Sequence, residues 1–340
     1  LSGKGCLYIA IGLLLTLGLC GLSSGFLAAL GTGTLLDGLA KPVLPSILLP
    51  AEKIPGLGGI TNTLIATVLA DIVILLLFGL GTQSLRRQEQ AALVPVSRLQ
   101  NLVEILIEAV YGLAESILGE RARKVFWLGA TIFIFILVAN WMELIPGFDS
   151  IGIIEEAHEG LEGAEKGSFL GIPALVGPLE ENGGEGEHQA HGYVLVPILR
   201  AANTDLNTTL ALALIAMVMV QVYGIRELGA KEYFGKFMQT QRIGDGNPMG
   251  LIDLFVGILE SISEVAKIIS FTFRLFGNIF AGQVLLFVMS FLIPFLVFGV
   301  LIFWGLEIFV GAIQALVFMM LTFVFLSMAM AGHGGHEEDH

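Results

Sequence analysis

The 340-residue chain is 55% hydrophobic and 14% charged with a mean hydropathy of +0.84, which excludes an ordinary soluble globule and points to a polytopic helical membrane protein. Its 17 basic and 30 acidic residues leave a net charge of −13, and no stretch is basic enough to bind nucleic acid. Apolar runs of about 18 residues or more recur without strand-like alternation, which excludes an outer-membrane barrel.

Lys4 followed by apolar residues from Leu7 to Leu22 has the pattern of a signal peptide or signal anchor. Residues 1–34 are read as a retained extra helix, with cleavage, or lipid attachment at Cys20, as the alternative. Cys6 and Cys20 have no ligand-like spacing to anything. Residues 35–60 are rich in Pro and Gly and read as an extracytoplasmic loop. Thr61 to Thr82 is a spanning helix ending at Arg86 and Arg87. Asp71 inside it is a lone acid, expected to face other helices or a polar cavity. Val96 to Gly119 places Leu99, Leu102, Val103 and Leu106 among Arg98, Glu104, Glu108 and Glu115, the pattern of an amphipathic interfacial helix. Arg121, Arg123 and Lys124 precede the next span, Val125 to Ile145.

Between Asp149 and Glu187 lie ten carboxylates and a single lysine, Lys166, so 147–192 is expected to be a solvated loop or partly ordered insert. His158, His188 and His191 read as solvated histidines, a metal site at His188 and His191 being the competing reading. Asp205 to Tyr223 is a further span, with Asn203 and Asn207 one turn apart and Gln221 near the same face. Arg226, Lys231, Lys236 and Arg242 follow it, and Gly244 to Pro248 is a turn.

The last two helical stretches organise the chain. Residues 251–292 correspond to about 60 Å of helix and 295–331 to about 55 Å, against a hydrocarbon core of about 30 Å. Two long, strongly tilted helices joined at Ile293 and Pro294 satisfy that length. Counted from Arg274 at about 100° per residue, Glu260, Ser263, Lys267, Ser270 and Asn278 fall within about 40° and form one stripe. Gln283 lies about 180° away. Glu307 and Gln314 share a face of the second helix, two turns apart. An arginine in lipid keeps its charge, so it acts as a barrier and a counter-ion, whereas Glu260 and Glu307 titrate and Ser263, Ser270, Asn278, Gln283 and Gln314 bind water or orient neighbours. Polar groups of this kind along facing helices are what a proton path needs. The plainer reading of Lys267 is neutralisation by Glu260 or Glu264 near an interface.

The fold expected is therefore an all-α polytopic membrane protein with about five to six membrane helices, a C-terminal tilted pair and one amphipathic interfacial helix. Residues 61–331 form the membrane domain. Residues 332–340, His- and acid-rich, are a solvated tail, metal capture there being the lesser reading. Basic residues at 86–87, 121–124 and 226–242 fall on one side, which places the acidic insert outside and the C-terminus in the cytoplasm.

The run Arg274-Leu275-Phe276-Gly277-Asn278, continuing Ile279-Phe280-Ala281-Gly282, with Glu307-Ile308-Phe309-Val310-Gly311 and Ile313-Gln314-Ala315, resembles subunit a of F-type ATP synthases. Asn140-Trp141-Met142-Glu143-Leu144-Ile145-Pro146 and Thr204-Asp205-Leu206-Asn207-Thr208-Thr209 resemble two further blocks in the family's order, so the resemblance extends from about Thr61 to Ala331, leaving out the first sixty residues and the acidic insert. It implies a cell-membrane stator subunit beside a rotating ring of small two-helix subunits, together with peripheral-stalk and other ATP synthase subunits. Arg274 matches the family's essential arginine between two offset half-channels. Gln314 and Asn278 match its glutamine and asparagine; Glu143, Asp205 and Asn207 fall in blocks of the outside half-channel, and Glu260, Ser263 and Ser270 on the Arg274 stripe would serve the cytoplasmic side. Many members carry Glu where this chain has Gln283, which cannot titrate, so that relay role would pass to Glu307.

No phosphate-binding loop of the Gly-x-x-x-x-Gly-Lys type is present, so the resemblance implies no catalysis by this chain alone, and no cofactor or metal is expected. The competing readings are a self-contained secondary transporter with Arg274 as a carboxylate clamp, against which no inverted repeat is found, and a sodium-translocating version of the same subunit. A membrane metalloenzyme would need a His-Glu-x-x-His pair in a span, and the chain has none.

Overall fold

The computed structural model describes residues 51–54, 59–82, 97–145, 148–149, 151–156, 164–169, 172–178, 193–235, 249–292 and 297–331. The leader, Arg86 and Arg87, the three insert histidines, Lys236 to Pro248, the join at Ile293 and Pro294 and the C-terminal tail lie outside the described residues.

Seven helices and four strands are described in chain order: α1 (Asn62–Gly81), α2 (Arg98–Leu118), α3 (Ala122–Glu143), β1 (Gly152–Glu156), β2 (Ala164–Phe169), β3 (Ile172–Pro178), β4 (Tyr193–Pro197), α4 (Leu206–Leu228), α5 (Ala230–Gly235), α6 (Met249–Leu292) and α7 (Val297–Met330). Among the described residues, five stretches are long and apolar enough to cross a membrane: Asn62–Gly81, Arg98–Glu143, Leu206–Leu228, Phe255–Met289 and Leu301–Met330. The protein is a polytopic helical membrane protein.

Local chemistry sets the helix ends. Ser97 accepts a hydrogen bond from the Gln100 N–H at 3.0 Å and caps α2, satisfying one of the donors a helix start leaves open. Gly119, at φ 57°, closes α2 and donates to the Glu115 carbonyl; a side chain would strain there. One 3-10 turn, Gly119–Arg121, then leads straight into α3, so the amphipathic stretch and the following span form one nearly unbroken 46-residue helical segment.

The chain divides into two compact units. One comprises Ala66–Met142, Ala201–Ile279 and Val310–His340. Its core joins Val125, Leu128 and Ile136 of α3, Ala213, Ala216 and Val220 of α4, Phe271, Leu275 and Ile279 of α6, and Phe318, Met319, Phe323 and Leu326 of α7. Phe271 meets Phe318 edge-on, with ring centroids 4.6 Å apart. Polar contacts tie the same helices near their ends. Trp127 donates to the Tyr223 hydroxyl at 3.1 Å, Lys124 pairs with Glu227 at 2.6 Å, and Arg121 donates to the carbonyl of Met330 at the end of α7.

A Cβ on Gly129 would stand 2.2 Å from the Phe323 ring, which is fully buried. Because that ring has nowhere to move, Gly129→Ala is expected to cost about 1–3 kcal/mol by overpacking. A lowered thermal midpoint of the detergent-solubilised protein would register it, and an unchanged midpoint would mean α3 and α7 can part there.

The second unit comprises Leu1–Ile65, Glu143–Arg200 and Phe280–Phe309. It corrects one sequence expectation. The acidic insert is not simply a loop: β1 to β4 form an antiparallel sheet in the order β1-β4-β2-β3. Pairing from Gly152 with Pro197 to Glu156 with Tyr193 joins the two ends of the insert, and β2 and β3 make a hairpin beside it. Ile153-Ile154 and Tyr193-Val194-Leu195-Val196 supply strand-forming residues, in runs too short to stand out among the glutamates and glycines. Gly152 is required by the close approach, since a Cβ there would lie 2.2 Å from the Val196 carbonyl oxygen. The segment before α1 is also anchored: Asn62 N bonds to the Glu52 carbonyl at 3.0 Å, and the Asn62 side chain donates to Pro197 O. Burial raises the Glu52 carboxyl above its ordinary range, opposed by Arg200.

Asp71 is a second correction. It is exposed on α1, not covered by the rest of the chain.

Candidate functional site

The stripe predicted on α6, Lys267 excepted, lies on an open face. Arg274, Ser263, Ser270 and Asn278 are exposed, and Glu260 is half-buried. The opposite face, with Phe271, Thr272, Leu275 and Ile279, is buried. No carboxylate among the described residues pairs with Arg274. Gln314 lies half-buried on α7 in the same unit.

Lys267 follows the plainer of its two readings. It donates to Glu264, three residues back, and lies 4.9 Å from the centre of the Phe325 ring. Glu264 in turn accepts from Gln221 at 2.9 Å, and Gln221 accepts from the Tyr233 hydroxyl. Burial, with the negative charges of Glu264 and Glu260, pushes Tyr233 up to about 12, so its phenol stays protonated and remains a donor. This network joins α4, α5, α6 and α7 through satisfied polar groups.

Asp205 and Asn207 have a local structural task. Asp205 is the N-cap of α4, its Oδ1 accepting from the Asn207 N–H at 2.9 Å and from the Asn207 side chain at 3.2 Å. Deeper in the same unit, Asn203 donates to Asn140 Oδ1 at 2.7 Å, and Asn140 donates to the Gly311 carbonyl at 3.1 Å. Gly311 permits that approach, a Cβ there meeting Asn140 at 3.1 Å. Asn140, within the 140–146 block, and Asn203, expected one turn from Asn207, thus form a buried polar bridge.

The other unit gathers Glu143, Gln283 and Glu307 with two residues the sequence did not single out, Asp149 and Arg200. Gln283 donates through Nε2 to Asp149 Oδ2 at 3.0 Å. Asp149 Oδ1 and Gln283 Oε1 are buried and have no hydrogen-bond partner among the described residues. Glu307 is 6% exposed, and its carboxylate lies against α6 at Gly282, where a Cβ would fall 2.2 Å from Oε1. The charges of Asp149, Glu307 and Arg200 are all felt at the half-buried Glu143. Trp304 donates to the Leu144 carbonyl at 2.9 Å and holds α7 to the end of α3 here. Burial raises the Asp149 carboxyl to about 6, against the lowering effects of the Gln283 hydrogen bond and of Arg200.

Apart from Asp205 and Asn207 at the α4 cap and Gln314 on α7, the predicted residues fall into two sets: a cation with hydroxyl and amide groups on an open helix face, and Glu143, Gln283 and Glu307 in the other unit, half-buried to buried. No group of three or more potential metal ligands occurs among the described residues. The chemistry these sets offer is proton binding and release, with a fixed positive charge nearby in sequence on α6.

Comparison with known proteins agrees in kind. The family model described as ATP synthase A chain matches residues 64–327. The ATP synthase subunit a of Shewanella sp. (strain W3-18-1) is 34% identical over 248 residues, covering 72% of this chain and 76% of the relative. That of Mycobacterium ulcerans (strain Agy99) is 30% identical over 285 residues, covering 82% and 89%. That of Moorella thermoacetica is 28% identical over 234 residues, covering 69% and 78%.

Proposed function

The chain belongs to the ATP synthase A chain family, the non-catalytic, ion-conducting membrane subunit of that complex, and on that premise we propose that it carries protons through two offset half-channels separated by Arg274. The observation that carries this reading is the exposed, carboxylate-free Arg274 within the apolar Phe255–Met289 span. A guanidinium there is costly unless an anion from outside the chain meets it. A ring of small two-helix subunits, each bringing one mid-membrane carboxylate past α6, supplies that anion.

In this reading Ser263, Ser270 and Glu260 line the cytoplasmic approach, and Glu143, Gln283 and Glu307 the outer one. Asn278 and Gln314 orient groups around the arginine. Asp205 and Asn207 support the outer path by fixing the start of α4. The long α6 and α7 lie strongly tilted along the ring, residues 61–331 act as the membrane domain, and peripheral-stalk subunits hold it still. The acidic insert faces outside and the C-terminus the cytoplasm. The membrane is the cell membrane.

Cysteine pairing in native membranes tests the ring contact. Single cysteines at the exposed Asn278 or Ser270 are expected to cross-link to cysteines on the outer helix of a ring subunit. Cysteines at the buried Leu275 or Ile279 are not. Equal yields from both faces, or purification of an active chain with no ring, would count against the reading.

A further inference from the structure

We propose that Asp149, at the entrance to the acidic insert, is a proton-accepting carboxylate of the outer path, presented to α6 through Gln283. The inference rests on the proton-path reading above and adds to it a residue that no sequence motif marks.

Gln283 cannot titrate, yet it is 5% exposed and spends its N–H on Asp149 Oδ2. One oxygen of Asp149 is therefore fixed. The other, Oδ1, is buried with no donor from the described residues, which leaves it as the oxygen that receives a proton. Protonation there converts a buried charge into a neutral acid and removes most of the cost of burial. Return of the proton, to Glu143 or Glu307 or back outward, restores the carboxylate, and Gln283 keeps its hydrogen bond throughout. Asp149 and Arg200, from the segment after β4, each act electrostatically on Glu143 of α3, which also feels Glu307 of α7, and Arg200 acts on Asp149 as well. Two acids and one cation at this place allow a proton to be passed on without leaving a full charge stranded.

With the carboxyl raised to about 6, it is half protonated near that pH and mostly ionised above it. A group poised so close to neutrality loads and unloads readily, as an efficient relay requires. A purely structural role, anchoring the insert to α6 by one hydrogen bond, is the alternative. Substitution separates the two, because asparagine keeps an acceptor for Gln283 but cannot titrate.

The test uses the complete complex reconstituted in vesicles, with assembly checked and both ATP synthesis and ATP-driven proton uptake followed from pH 5.5 to 8, the range that brackets about 6. Asp149→Asn is expected to lower both rates about tenfold or more and to remove the wild-type inflection near that pH. The double variant Asp149→Asn/Gln283→Glu moves the carboxylate to the other side of the same pair and is expected to recover most of the lost rate. A mere anchor would not be rescued this way. Wild-type rates and pH profile in Asp149→Asn would overturn the proposal. So would a double variant that stays as slow as the single one or assembles no better. Arg274→Ala in the same preparation keeps the two readings apart: if it still makes ATP, the proton-path reading itself fails, whereas if only Asp149→Asn is normal, this inference alone does.

Discussion

Arg274→Ala is expected to abolish synthesis-coupled transport while leaving a passive proton leak through an assembled membrane sector. Arg274 is exposed on α6, and α6 buries its other face through Phe271, Leu275 and Ile279, so the substitution removes charge without opening the core. Two effects follow from the lost charge. A carboxylate arriving from a partner loses the cation that lowers the cost of its ionised form, so it is no longer made to release its proton. The electrostatic barrier to a proton crossing directly along the same face also goes, and a charge at mid-membrane is worth about 2.5–3.5 kcal/mol or more. Arg274→Lys keeps the charge but loses the planar fork, and is expected to remain severely impaired while leaking less than the alanine variant. Proton flux and synthesis measured in the same vesicles decide it. Normal coupled synthesis in Arg274→Ala would remove this residue from the mechanism.

The open face around Arg274 was readable because helical periodicity is local. Glu260, Ser263, Ser270, Arg274 and Asn278 share one side by angle alone, and the structure places Gln283, half a turn round, in a buried setting. The five spans were readable for a similar reason, since hydropathy needs no partner. The sheet was not. β1 and β4 pair residues such as Gly152 and Pro197 across a long acidic stretch, and each strand is too short to announce itself. Asp149 was hidden for the same physical reason: its partner Gln283 is 134 positions away, and only folding brings an acid of the insert to α6. Asp205 is the instructive opposite. Its bond to the Asn207 N–H spans two residues, and an aspartate directly before an apolar helix is an ordinary cap. Asp71 shows the limit of hydropathy, which identifies a helix without saying which of its faces the chain itself covers.

Gly282→Ala is expected to slow coupled transport about as much as Glu307→Gln, roughly 10- to 100-fold, with little change in stability. The two residues meet directly: a methyl group on Gly282 would stand 2.2 Å from Glu307 Oε1 and 2.3 Å from Oε2. What it strikes is the free end of a flexible side chain, so the carboxylate swings away and the helices need not part. Glu307 then loses its place against α6 at Gly282 while keeping its carboxyl group. Glu307→Gln does the reverse, keeping the place and losing the titration. If position and titration serve one proton transfer, the double variant is no slower than the slower single one, because each change already breaks the same step. Synthesis rates of the three variants in assembled complexes, with thermal midpoints measured alongside, test this. Multiplicative losses would mean that Gly282 matters for packing on its own account, and a normal rate in Glu307→Gln would send the outer path through Asp149 and Glu143 alone.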